Sequence, residues 1–150
     1  MKHFNSDSEL KHIGEGLVTR TLPKAEWTHA AHFAAAFWLM SKSDGDTFAR
    51  MPMLIRAYNE ATGTPNTDTS GYHETITLAS LRVTRAWLNT HRHLDLHSAL
   101  NALLASEYGR SDWLLGYWSK SLLFSVTARR SWIEPDLRDL PLGEDSGSSG

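Results

Sequence analysis

The stretch WTHAAHFAAAFWLMS, residues 27–41, decides the fold. It contains no Asp, Glu, Lys or Arg, and before Ser41 its only polar side chains are Thr28, His29 and His32. A helix apolar all round is normally the central helix of a bundle. At 100° per residue, His29 lies within about 40° of Phe33, Ala36 and Met40, while His32 sits one turn on, beside Ala36 and Leu39. Neither imidazole has a solvent face to turn to. Pro23 is a good first-turn residue, which predicts that this helix begins near it and runs to about Ser41.

Outward from this core helix, the pattern stays helical. Leu10, Ile13 and Leu17, three and four apart, predict a first helix from Ser8 to about Val18. Ser43-Asp44-Gly45-Asp46 reads as a turn. A third helix follows from Thr47 or Pro52 to Ala61, with Pro52 either kinking it or marking its true first turn. Residues 63–71 hold no large apolar side chain and must form a loop. A fourth helix is expected from Tyr72 to about Thr90, and a fifth, capped by Asp95, from Leu96 to Ser106. Shorter helical pieces are expected around Asp112–Trp118 and Ser125–Trp132, with Pro135 as the stop. Strand-like alternation is absent. The expectation is a compact, irregular all-α bundle of five to seven helices, one domain over residues 1–142, followed by a flexible Gly/Ser-rich tail over 143–150.

Composition narrows the function. A chain of 150 residues, 41% hydrophobic and 21% charged, suits a single core. A net charge of −2 makes no electrostatic case for nucleic acid. Eight His against 15 Lys and Arg mean that mild acid reverses the sign of the charge. Cysteine is absent, which excludes disulfides, Cys-ligated zinc, iron–sulfur clusters and a thiol nucleophile. No apolar signal core precedes Arg20, and the longest apolar run, Phe33–Met40, is far too short to span a bilayer. A cytoplasmic protein with no membrane or nucleic-acid partner is expected; its oligomeric state is left open.

The fourth helix carries the second signal. With His73 at zero on the wheel, Arg82, Arg85 and Asn89 fall at about 120–180°, the solvent side. Thr77, Ser80 and Thr84 line up behind His73, where a core stripe normally carries Leu or Ile. Glu74 lies at the border of the two faces. Three histidines, His29, His32 and His73, therefore read as inward-facing on two helices. A buried imidazole needs partners for both ring nitrogens. Three readings follow: a structural hydrogen-bond network, a site for a divalent metal such as zinc or iron with His29, His32 and His73 as ligands, or a metal-free pocket with a His base. In a catalytic version His29, His73 and Glu74 are the acid–base candidates. Asn66, Thr67, Tyr72 and Thr77, around the free N–H groups at the helix start, are the candidates for holding a polar substrate. The bland alternatives are a turn-rich loop and a dipole-stabilised Glu74. His91, His93 and His97 cluster near a helix end with Arg92 and Asp95 and read as solvated surface. Phosphate-loop, Rossmann, His-Glu-x-x-His and Gly-x-Ser-x-Gly motifs are absent, and Glu-x-x-His occurs at Glu9–His12 and at Glu26–His29, without the paired inward-facing arrangement of a di-iron bundle.

Three blocks resemble a known group. These are Trp27-Thr28-His29-Ala30-Ala31-His32-Phe33, the run from Tyr58-Asn59-Glu60 through Gly63–Thr67 to Gly71-Tyr72-His73-Glu74-Thr75, and Ala128–Leu137. Together, and in this order, they are similar to a group of small bacterial helical proteins of uncharacterised function carrying W-T-H-x-x-H and G-Y-H-E-T signatures. The resemblance covers roughly residues 22–140. It implies no substrate, only that His29, His32 and residues 71–75 belong to the signature. The expected function is binding of a small molecule or metal ion in a His-lined pocket between the second and fourth helices, with enzymatic activity left open. The alternative is a non-catalytic interaction or regulatory module with structural histidines.

Overall fold

The computed structural model of the chain describes residues 3–42 and 44–141; the tail expected over 143–150 lies outside them. Seven helices are described: α1 (Asp7–Thr19), α2 (His29–Lys42), α3 (Asp44–Ala61), α4 (Glu74–Thr90), α5 (Leu96–Leu104), α6 (Lys120–Leu123) and α7 (Val126–Arg130). Single 3₁₀ turns lie at Lys24–Glu26, Glu107–Gly109 and Trp113–Gly116, and there is no strand among the described residues. The bundle is all-α, and no helix is long and apolar enough to cross a membrane.

The apolar stretch forms the centre. Helix α2 packs against α1, α3, α4 and α5, with Ala31, Phe33–Phe37, Leu39 and Met40 buried. Gly14 lets α1 approach it: a Cβ at that position would lie 2.1 Å from the Trp38 ring. The chain start is tied to α5 by a reciprocal pair, in which the Phe4 N–H donates to Asn101 Oδ1 at 2.9 Å and Asn101 Nδ2 donates to the Phe4 carbonyl at 2.8 Å.

Five sequence expectations need correction. Pro23 starts only the 3₁₀ turn at Lys24–Glu26, and α2 begins at His29. Thr28 is responsible, because its hydroxyl accepts from the Ala31 N–H at 3.2 Å and caps a new helix start. Helix α3 begins at Asp44, inside the expected turn, and runs through Pro52. Asp95 stands at the start of α5 but makes no capping bond. Asp7, from α1, takes that role: its Oδ1 accepts from the His97 N–H at 2.8 Å and from His97 Nδ1 at 2.6 Å. His97 is thus a tie between helices and not solvated surface. Finally, Arg82 and Arg85 do not stand free in solvent. Their guanidinium groups lie over the Trp132 ring at 3.9 Å and the Phe48 ring at 4.7 Å, so α3 and the C-terminal segment cover part of that face of α4.

Candidate functional site

Because Thr28 interrupts the helix, Trp27 folds back over the first turn of α2. Its ring centroid lies 3.9 Å from that of His32 and 5.3 Å from that of Tyr58 on α3. These rings form one wall of a cavity of about 360 Å³. Helix α3 contributes Ile55, Tyr58 and Asn59, with Thr62 just past its end, and Tyr72 and the cap His73 lead into Ile76 and Thr77 of α4. At the rim the Lys24 ammonium donates to the Thr64 hydroxyl.

The loop before α4 is tightly built. Asn66 Oδ1 accepts from the Tyr72 N–H at 3.0 Å and from Asn59 Nδ2 at 3.0 Å, while Asn66 Nδ2 donates to the Arg56 carbonyl at 3.1 Å. The Thr67 hydroxyl accepts from the N–H groups of Thr69 and Ser70. Gly71 has φ +81°, and a Cβ there would lie 2.4 Å from the Pro65 carbonyl oxygen. Only glycine fits that turn. Helix α7 clasps the loop from outside. Arg129 donates to the Gly71 and Tyr72 carbonyls, and Arg130 makes a two-bond contact with Asp68 at 2.8 Å. The Thr75 hydroxyl donates to the Ser131 carbonyl and accepts from the Ile133 N–H. The first two blocks singled out in the sequence thus share the lining of this cavity, and the third braces the second from outside.

The three histidines have different fates. A main-chain carbonyl can only accept, so each bond to one fixes a tautomer. His73 Nε2 donates to the Leu123 carbonyl at 2.7 Å, and its Nδ1 accepts from the Ile76 N–H as the cap of α4. Both nitrogens are used. Burial lowers its proton affinity, the Leu123 carbonyl opposes that, and Arg129 adds to the lowering. His32 Nδ1 donates to the Thr28 carbonyl at 2.8 Å, which leaves the lone pair on Nε2. No partner among the described residues reaches Nε2, and the atom is not sealed in the core. Burial against Trp27 and α3 pushes the His32 pKa down to about 4, against the pull of the Thr28 carbonyl and with a small push from His29. The ring is only partly shielded where it meets the cavity. His29 Nε2 donates to the Tyr108 carbonyl at 2.9 Å, and His29 lines a different cavity.

The trio expected to converge thus does not. His32 and His73 share one cavity, His29 opens on another, and among the described residues no group of three His, Asp or Glu is gathered for a metal ion. The reason is local. His29 is drawn to the Tyr108 carbonyl and His32 to the Thr28 carbonyl, so the two rings open on different cavities, and capping α4 consumes the remaining nitrogen of His73. Glu74, the other acid–base candidate, accepts from the Tyr72 hydroxyl at 2.6 Å and does not line the cavity. Burial first, and then Glu74, raise the proton affinity of the Tyr72 phenol. Asn66 and Thr67 hold the loop together and lie outside the lining, whereas Tyr72 and Thr77 are part of it. Sequence reasoning did not assign a wall to α3, although Ile55, Tyr58, Asn59 and Thr62 show the one-face spacing that marks it. Comparison with protein-family models, curated proteins and solved structures gives no match.

Proposed function

We propose that this chain binds a small organic molecule in the cavity between the start of α2, helix α3 and the start of α4. The observation that carries the reading is the state of His32. It has a fixed tautomer, a lone pair on Nε2 with no partner among the described residues, and a ring that burial keeps neutral at physiological pH. Such a nitrogen is a ready acceptor for an O–H or N–H donor. It is a poor general base, because efficient proton transfer calls for a pKa near the working pH. Binding is favoured over catalysis on that ground. The lining contains three aromatic rings, several hydroxyls, the Lys24 ammonium and no carboxylate. It suits a neutral or anionic ligand and disfavours a cation.

Titrating a fragment set of neutral alcohols, phenols and carboxylic acids, read by proton–carbon NMR, tests this. Fragments that carry a donor should shift the His32 and Trp27 ring signals together and saturably. His32→Phe should abolish the effect while the remaining spectrum stays folded. Hits that leave His32 and Trp27 unmoved, or that bind the variant equally well, would overturn the reading.

A further inference from the structure

The α2 start also borders a second cavity, of about 690 Å³, that shares no lining residue with the first. Its walls are Thr28, His29 and Ala30, the C-terminal end of α5 at Leu104–Ser106, and the turn that carries Glu107, Gly109 and Arg110. His29 is held there much as His32 is held on its own side. Its Nε2–H is fixed on the Tyr108 carbonyl, and its ring meets Phe33 edge-on with centroids 5.4 Å apart. The lone pair therefore resides on Nδ1. No described residue bonds that atom, and it is not sealed in the core.

The turn is shaped to hold this arrangement. Gly109 presses on the end of α5 so closely that a Cβ would lie 1.8 Å from the Leu104 carbonyl oxygen. The Tyr108 carbonyl that anchors His29 is one residue away. Glu107 is fixed from behind, since its Oε2 accepts from the Tyr117 hydroxyl at 2.6 Å and Arg138 lies 3.8 Å from its Oε1. The side chain still keeps close to half of its surface exposed. Arg110, the one cation in the lining, is paired with Asp112; Glu107 is likewise paired with Arg138, but its carboxylate keeps further lone pairs for a donor.

The cavity thus offers acceptors: the His29 Nδ1 lone pair, the Glu107 carboxylate and the negative end of the α5 dipole. Ala30, Leu104 and Ala105 supply apolar walls. We propose that this is a second binding site, separate from the His32 cavity, that takes a small organic ammonium. The ammonium donates to His29 and Glu107, and its hydrocarbon part lies on the apolar wall. Nothing in it depends on the ligand of the His32 cavity, whose lining has the opposite charge preference.

Benzylammonium chloride is a suitable probe, with sodium benzoate as the charge control, both followed through the His29 ring signals by NMR at constant ionic strength. The ammonium should shift His29 saturably and leave His32 in place, and benzoate should leave His29 unmoved. Glu107→Gln should weaken the ammonium at least fivefold. Because that change also touches Tyr117, Ala105→Phe serves as a second variant: it fills the cavity from an exposed position and should block binding with the fold intact. No saturable shift of His29, an equal response to benzoate, or full binding by a folded Ala105→Phe would each overturn the proposal. His32→Phe should bind benzylammonium as the parent does.

Discussion

Acid should destabilise this protein through His32 before its carboxylates titrate, and the size of the effect follows from the site. The ordinary pKa of 6.5 falls to about 4 in the fold, first because burial penalises the charged ring. Above pH 6.5 the imidazole is neutral in both folded and unfolded chains and costs nothing. Between that value and about 4 the unfolded chain takes up a proton that the folded ring refuses, so stability falls as pH falls. Below both values the loss is complete. At about 1.36 kcal/mol per tenfold change in proton affinity, the ceiling is ~3 kcal/mol. The ring keeps some contact with the cavity, and screening there brings the expected loss nearer ~2 kcal/mol. The assay is chemical denaturation from pH 7.5 to 4, on the parent and on His32→Phe, with the His32 ring titrated in parallel by NMR. The variant loses the Thr28 carbonyl bond at every pH, so its stability starts lower, but its curve should be flatter across this window by the stated amount. Identical slopes, or an NMR titration of His32 at or above 6.5, would refute the reasoning.

Other tests follow from the loop and the helix ties. Gly71→Ala should cost at least about 1–2 kcal/mol for the left-handed backbone alone, and more for the contact with the Pro65 carbonyl, seen as a lower denaturation midpoint. Asn66→Ala removes three hydrogen bonds and should cost about 2–4 kcal/mol, with faster amide exchange at Tyr72 as the local sign. Thr75→Val keeps the shape but strands the Ser131 carbonyl and the Ile133 N–H, and should cost about 1–3 kcal/mol while loosening the C-terminal segment from α4. For Asp7, burial pushes the carboxyl up, but the His97 bonds prevail and hold it below 3.8. The stability it contributes is present above that value and disappears as pH falls through the lower folded one. Melting curves of Asp7→Asn should therefore converge with those of the parent toward pH 2.

Residues 27–41 made the helical class legible without coordinates, because a helical stretch of fifteen residues with no Asp, Glu, Lys or Arg has nowhere to go but the middle of a bundle. The periodicity around Leu10 and along α4 located two more helices, and turn residues and proline placed the third. It also picked out His29, His32, His73 and the loop before α4, since polar groups at core positions break a pattern that is otherwise regular. What the pattern does not contain is the partner of each nitrogen. Thr28, one hydroxyl long, starts the helix that carries His29 and His32, and its carbonyl takes the His32 Nδ1–H while the Tyr108 carbonyl takes the His29 Nε2–H, so the two rings open on different cavities. The Leu123 and Tyr108 carbonyls, 50 and 79 residues away along the chain, select the tautomers. One-dimensional spacing carries face and period but not which distant carbonyl arrives at a ring, and hydrogen bonds are decided by that arrival. The sequence by itself therefore determined the helices, the core and the residues with polar business inside it. Tertiary packing alone decided that His73 is a spent cap, that the metal trio does not assemble, and that His32 and His29 each keep one free lone pair over a different cavity.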